Sequence, residues 1–419
     1  MRHVSAVLSL LVLTSICIAK EVPLGDQFQV NTFIDGFQED SVIASDDQGN
    51  FVVVWLNDNV TPPWISGQRC LADGTLVGPE FQVNTLVGDE LEMPAVAMAG
   101  DGRFVAVWYD TGGLDGEGWS IRGQRFAANG TPVGSEMGIN TYTAGNQGYP
   151  SVAIRDDGSF LVVWMGNGYH ATNGIHGQAF LWDGTSIWGE FGINDHIPAA
   201  GCHRPDVSIA TNGQFVVSWE AWGSPGNDQS GQSIQVRCFP WGGVVPPPQQ
   251  QVNTYTGGDQ NHSAIAVAPD GSFLVTYDLH YTLGIGAQRF LADCTPIGDE
   301  FLVNQAPEEF YWSDVAVDDQ GRYIVVWLYG EIYGRLFSAS GIPLDDQFWV
   351  PSHDFFGLGH PKVASTPDGR FAVTWQSFGS TGNDDDQYSI QARRFAGLAG
   401  IFVDGFESGG TTAWTDTAP

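Results

Sequence analysis

The sequence predicts an all-β protein, a single seven-bladed β-propeller of four-stranded antiparallel blades closed by an N-terminal strand that joins the last blade. Three observations predict it. A Phe-x-Val-x-Trp segment returns seven times, its closing aromatics at Trp55, Trp108, Trp164, Trp219, Tyr277, Trp327 and Trp375, spaced by 53, 56, 55, 58, 50 and 48 residues. Repeats of about fifty residues with β character belong to propellers rather than helical solenoids. The composition agrees, with 54 Gly, 22 Pro and 15 % charged residues, as many short strands joined by tight turns require. The order of the pieces also implies a closed ring, because one strand type appears once ahead of its first blade and is missing after the last.

Each repeat supplies four strands. The first is short and built from small residues, as in Ser151-Val152-Ala153-Ile154 or Asp206-Val207-Ser208-Ile209. Crowding where blades converge suits it to the innermost position. A turn follows at Asp101-Gly102, Asp157-Gly158, Asn212-Gly213, Asp270-Gly271 or Asp368-Gly369, dipeptides that favour positive φ in hairpins. The second strand is the Phe-to-Trp segment, with alternating large and β-branched residues. The third has the form Ile-x-Gly-Gln-Arg-Phe, at Ile121–Phe126, Ile175–Phe180 and Ile285–Phe290. The fourth is Phe81-Gln82-Val83-Asn84 and its echoes at 28–31, 137–140, 191–194, 251–253, 301–304 and 348–350. The copy at 28–31 is the strand expected to complete the seventh blade, which removes an exposed sheet edge.

These pieces, Phe-x-Val-Asn-Thr, Asp-Gly-x-Phe-x-Val-x-Trp and Gly-Gln-Arg-Phe, resemble repeats of large secreted bacterial surface and calcium-binding proteins. The resemblance covers roughly residues 24–396 and implies a propeller fold but no particular activity. Sialidase-type Asp boxes are excluded, since Phe stands where their Thr should be.

Outside the repeats lie two segments. Arg2 and His3 precede an apolar run from Val4 to Ile18, and Cys17-Ile18-Ala19 offers small residues at −3 and −1 for cleavage before Lys20. About fifteen apolar residues fall short of a membrane span. Residues 1–19 therefore read as a signal peptide. The expected location is extracellular or cell-surface, with the periplasm as the alternative. The tail, 397–419, contains Asp404-Gly405-Phe406-Glu407-Ser408-Gly409. It resembles short endings of diverse bacterial secreted proteins and reads as a sorting tag or a frayed terminus.

With 16 Lys plus Arg against 48 Asp plus Glu, the net charge is −32, which excludes phosphate backbones and anionic membranes as partners. Four cysteines remain after export, Cys70, Cys202, Cys238 and Cys294, and sequence alone leaves their three complete pairings open. Cys70 replaces the usual aromatic and reads as a buried thiol.

The long connections, second to third strand and fourth to first, fall on one face of an up-and-down blade. They hold His170, His196, His203, His262, His280, His353 and His360, with aromatics such as Trp64, Tyr109, Trp119, Tyr169, Tyr281, Tyr311 and Phe378. Variable loops on a rigid scaffold are the expected binding face. Counting three residues back from the central Val or Ile of each first strand names a ring at the channel mouth: Glu39, Met93, Tyr149, Arg204, His262, Trp312 and His360. This ring is the candidate ligand site, suited to a small or chain-end ligand.

Acidic hairpins form a second candidate. Asp115 and Glu117, Asp228, and Asp384, Asp385 and Asp386 sit among Gly and Asn, where carboxylates can converge on calcium. The expected cofactor is therefore none or calcium, without EF-hand spacing. No Gly-x-Ser-x-Gly, His-Glu-x-x-His or phosphate loop is present. The leading expectation is a non-enzymatic, monomeric propeller that binds carbohydrate or a surface protein. The alternatives are a polysaccharide hydrolase or lyase at the channel mouth, using Tyr149, Arg204 and His262, and a structural envelope component.

Overall fold

The computed structural model describes residues 22–86, 91–168, 173–198, 200–241, 246–280, 283–305, 311–353, 356–384 and 387–397. Residues 1–19, read from the sequence as a signal peptide, nearly all of 397–419, Tyr169, His170, Tyr281, Asp385 and Asp386 lie outside them. Seven four-stranded antiparallel sheets form the fold, and its named elements include no helix.

The innermost strands are Phe37–Ser45, Leu91–Met98, Gln147–Ile154, Cys202–Ile209, Gln260–Val267, Tyr311–Val317 and Phe356–Ser365, for blades 1 to 7. Each packs against its neighbours in order, and blade 7 returns to blade 1. In blade 7 the order from the centre outward is Phe356–Ser365, Phe371–Phe378, Tyr388–Phe395 and Phe28–Gln29, with Phe28 opposite Ala392 and Gln29 opposite Gln391.

The second strands are buried along nearly their whole length rather than on alternate residues, with only the last residue exposed in blades 1, 4, 6 and 7. The reason is that each blade has a neighbour on both faces. In blade 1, Val52, Val54 and Leu56 pack with Phe104, Ala106 and Trp108 of blade 2. Phe51, Val53 and Trp55 of the same strand pack with Ala364, Ala372, Ile390 and Ala392 of blade 7. All seven closing aromatics are at most 1 % exposed. The opening aromatic stacks on the last residue of the third strand, as in Phe215–Phe239 at 4.7 Å and 3° or Phe371–Phe395 at 4.8 Å and 9°. In blade 1 that partner is Cys70, buried, its thiol pushed up to about 12 by burial and so inert.

The Asn that ends the fourth-strand motif has a role the motif alone did not disclose. Strand pairing stops before it, and its side chain takes over the ladder. Asn84 Oδ1 accepts from Ile65 N at 2.8 Å, Asn140 from Ile121 N at 2.8 Å and Asn253 from Ile234 N at 2.9 Å. Asn194, Asn304 and Asn31 do the same.

Two sets of polar contacts join the blades. At the rim, the Glu or Gln just before each fourth-strand motif accepts backbone N–H groups from the preceding blade. Glu80 Oε2 takes Thr32 N at 2.9 Å and Phe33 N at 3.0 Å, and Glu136 takes Thr85 N at 2.8 Å. Glu190, Gln249, Glu300, Gln347 and Gln27 repeat the contact around the ring. The second set uses arginine. Of the fourteen Lys and Arg among the described residues, eleven reach across a blade boundary away from the axis, ten to a backbone carbonyl and Arg155 over the Trp241 ring.

A disulfide, Cys238–Cys294, ties blade 4 to blade 5 with Cα atoms 6.0 Å apart, while Cys70 and Cys202 are free and buried. The bond closes a loop of 56 residues. Reducing it, or replacing both cysteines by serine, is expected to lower unfolding stability by about 2–4 kcal/mol, measured by denaturant titration with and without reductant.

Candidate functional site: the funnel mouth

Every inner strand carries the same irregularity. Pairing with the second strand slips by one residue, between Glu39 and Val42 in blade 1 and at the matching place in the other six. Within the slip sits a residue with positive φ: Asp40 (53°), Met93 (46°), Tyr149 (54°), Arg204 (44°), His262 (50°), Trp312 (53°) and His360 (48°). None is glycine, so each costs about 1–2 kcal/mol of backbone strain. The bulge turns these seven side chains toward the axis, where they line a cavity of about 370 Å³, within the usual size of ligand pockets.

Six of the seven ring residues read from sequence are here. The exception is Glu39, whose place is taken by Asp40. Blade 1 has Val42 and Ile43 in succession, and Ile43 rather than Val42 aligns with the central Val96 of blade 2, so the count back lands one residue later. Glu39 does not line the cavity.

The ring residues form a connected belt. The guanidinium of Arg204 lies over the Tyr149 ring at 5.6 Å, and its Nη1 donates to His262 Nε2 at 3.0 Å. His262 Nδ1 donates to Asp278 Oδ2 at 2.8 Å. These partners place the His262 proton on Nδ1 and leave the Nε2 lone pair facing the funnel. Trp312 stands edge-on between the two histidines, 6.1 Å from His262 and 4.4 Å from His360. His360 Nδ1 in turn donates to Asp40.

The residue after the closing aromatic of the second strand holds this belt in place. Glu220 Oε1 accepts from His262 N at 2.7 Å and lies 3.8 Å from Arg204 Nη1. Asp278 Oδ2 accepts from Trp312 N at 3.2 Å, and Gln376 Oε1 accepts from Asp40 N at 2.9 Å. Each anchors the bulge of the next blade. Burial raises the Asp278 carboxyl above the ordinary aspartate value, against the lowering hydrogen bond from His262.

One layer deeper, Lys362 Nζ donates to Asp314 Oδ1 at 3.1 Å, and Asp206 accepts from Ser151 Oγ at 2.8 Å. Burial works against the Lys362 ammonium, but the carboxylates of Asp314 and Asp206 outweigh it and hold its pKa above the ordinary lysine value. Arg204 and Lys362 are thus the two described cations placed in the funnel. Arg122 is committed to Glu136 within its own blade at 3.2 Å, and the other eleven stitch blades.

The acidic hairpins do not gather. Asp115, Asp228 and Asp384 occupy equivalent places in blades 2, 4 and 7, and each accepts from the strand-ending Asn, at 2.8, 2.7 and 2.9 Å. Asp228 and Asp384 are fully buried, whereas Glu117 is exposed. These three carboxylates fasten the loop to the blade, while Asp385 and Asp386, the other acids of the blade 7 hairpin, lie outside the described residues. Among the described residues no group of three or more His, Cys, Asp or Glu is disposed to hold a metal ion.

Asp278 and Glu220 escaped sequence reasoning because they belong to the strand pattern, yet a signal was present. The residue after the closing aromatic is Leu56, Tyr109, Met165 and Leu328 in four blades and carboxylate or amide in the other three.

No protein-family model matches the chain, and no curated protein matches it in sequence. Solved structures do match in fold. A protein of unknown function from Dyadobacter fermentans has TM-score 0.55 at 10 % identity, covering 91 % of this chain and 99 % of that one. The polysaccharide lyase Uly1 has TM-score 0.52 at 11 % identity, covering 88 % and 92 %. The β-propeller domain of the Trilobed protease from Pyrococcus furiosus has TM-score 0.51 at 9 % identity, covering 88 % and 100 %. At these identities the likeness is one of fold.

Glu39 carries a testable consequence. Burial, with Asp40 and Asp58 nearby, raises its carboxyl to about 7 from an ordinary 4.5. The folded state then holds a proton that the unfolded state has released, so Glu39 lowers stability as pH rises from about 4.5 through 7. Glu39→Gln is expected to raise the melting temperature at pH 8 and leave it unchanged at pH 4, read by thermal melts across pH.

Proposed function

We propose that the funnel mouth is the site of an enzyme that cleaves a uronate-containing polysaccharide by β-elimination. The observation that carries this reading is the Arg204–His262–Asp278 relay, set on a bulge and flanked by Tyr149 and Trp312. A lyase needs a cation to neutralise the uronate carboxylate and a base for the α-proton. Arg204 supplies the first and His262 Nε2 the second.

In the free protein Arg204 Nη1 donates into the Nε2 lone pair. A substrate carboxylate that pairs with Arg204 draws the guanidinium away and frees that lone pair. His262 then takes the C5 proton, with its positive charge stabilised by Asp278. The C5–H electrons form the C4=C5 double bond, the C4–O bond breaks, and the leaving oxygen receives a proton. The aromatic walls suit a sugar ring, whose C–H faces pack on π surfaces.

The fold likeness to a polysaccharide lyase is compatible with this reading, and so is the use of the scarce cations. The same Arg204–His262 contact also favours a second reading, binding of the same carboxylate sugar without turnover, since the base is occupied in the free protein.

The test is a panel of polyuronides, followed by the ultraviolet absorbance of the conjugated double bond in the product. Arg204→Ala and His262→Ala are each expected to lower kcat/KM at least about 100-fold. Turnover untouched by both substitutions would sink the assignment, and saturable binding with no product would select the second reading.

Charge supplies a further check. A chain of net charge −32 repels a polyanion at long range. Raising the ionic strength from about 0.01 to 0.1 M shortens the screening length from about 30 to about 10 Å. Salt-dependent kinetics should therefore show kcat/KM rising over this range.

Export is part of the proposal, on the strength of the signal segment. The mature protein recovered from its native host should begin at Lys20, as read by N-terminal sequencing.

A further inference from the structure

The funnel mouth is not level. Among the described residues the inner strands of blades 7 and 1 are the longest, ten and nine residues, against seven or eight in the others. They begin four and three residues ahead of His360 and Asp40, so strand pairing continues furthest past the ring on this side, here called the lip, and both begin with phenylalanine.

Phe356 and Phe378 are cross-strand partners, as are Phe378 and Tyr388, which sets a row of three aromatics along the upper edge of blade 7. Tyr388 meets Phe378 edge-on at 5.8 Å and Phe37 of blade 1 at 5.7 Å. These contacts hold Phe378 and Tyr388, and strand pairing places Phe356 beside them, yet Phe356 is 85 % exposed and Phe378 43 %. Gly357 permits the arrangement, because a Cβ there would lie 3.1 Å from the Tyr388 ring. An uncovered aromatic row is costly to leave in water. Its place points to an occupant, since it lies on the strand that carries His360, about 13 Å from it at the usual rise per residue. His360 itself lies against Trp312 in the funnel.

We propose that this lip is an outer subsite, on which a sugar ring of the chain whose uronate occupies the funnel stacks against Phe356 and Phe378. The proposal rests on the polysaccharide reading of the funnel and adds that the ligand is a polymer leaving over blades 7 and 1. The lip would then govern preference for long chains rather than the chemical step.

The experiment compares wild type with Phe356→Ala and Phe378→Ala on polygalacturonate, on alginate and on short oligosaccharides of each, following turnover and, by affinity electrophoresis, binding. On the polymer, KM or Kd is expected to rise about three- to tenfold per substitution with kcat unchanged, and the shortest oligosaccharide should respond to neither. Equal effects on short and long ligands, or none on the polymer, would overturn the subsite while leaving the funnel assignment intact. Wild type that neither binds nor cleaves any polyuronide removes both proposals together. Sedimentation supplies the remaining check: a wild-type dimer that Phe356→Ala turns into monomer would assign the lip to a second copy of the chain and overturn the subsite. Both side chains are exposed, so unchanged melting curves are expected and confirm that the fold is intact.

Discussion

Each blade of this protein has two apolar faces and can cover neither alone. Val52 and Trp55, three residues apart on one strand, face different neighbours, and the same holds around the ring. Burial on both sides is satisfied only when every blade has two partners, which makes closure a requirement of the hydrophobic effect rather than an ornament of the topology. The rest follows from it. Seven inner strands converge on one axis, and the space left there is the funnel.

Closure also governs where polar and charged groups go. The contacts between blades are largely side chain to backbone: carboxylates and amides at the rim, guanidinium groups toward carbonyls elsewhere. Such bonds satisfy backbone groups that strand pairing leaves open. With ten of fourteen described cations used in this way and Arg155 set over the Trp241 ring, a strongly acidic exterior surrounds a funnel that keeps Arg204 and Lys362. Both funnel cations lie beside carboxylates, Lys362 with Asp314 and Arg204 with Glu220, so the charge there is arranged in pairs.

The bulges connect the scaffold to chemistry. Seven residues in a left-handed conformation are held because the surrounding sheets over-determine them. In three blades a buried polar side chain from the preceding blade, Glu220, Asp278 or Gln376, accepts the N–H of the bulge residue or fixes its ring. Those contacts orient His262, Trp312 and Asp40, the polar sector of the ring. At that strand position the other four blades carry Leu56, Tyr109, Met165 and Leu328, of which Tyr109 stacks on the Tyr149 ring at 5.7 Å.

The sequence by itself determined the repeat number, the strand order and six of the seven funnel residues. These follow from local patterns, the alternation along strands and the Asp-Gly turns, that a periodic chain displays seven times over. The blade 1 residue reads as Glu39 rather than Asp40 because Val42 and Ile43 stand in succession there and the apolar pattern does not mark which is central. Only the tertiary structure joined His262 to Asp278 on the adjacent strand and to Arg204 one blade away. The hairpin acids show the same limit. Asp115, Asp228 and Asp384 read as hairpin acids along the chain, and the structure adds that each accepts from an Asn 25 residues away or, for blade 7, at the opposite end of the chain. Partners brought together by closing a ring are separated by whole repeats, and no local pattern records which of them will meet.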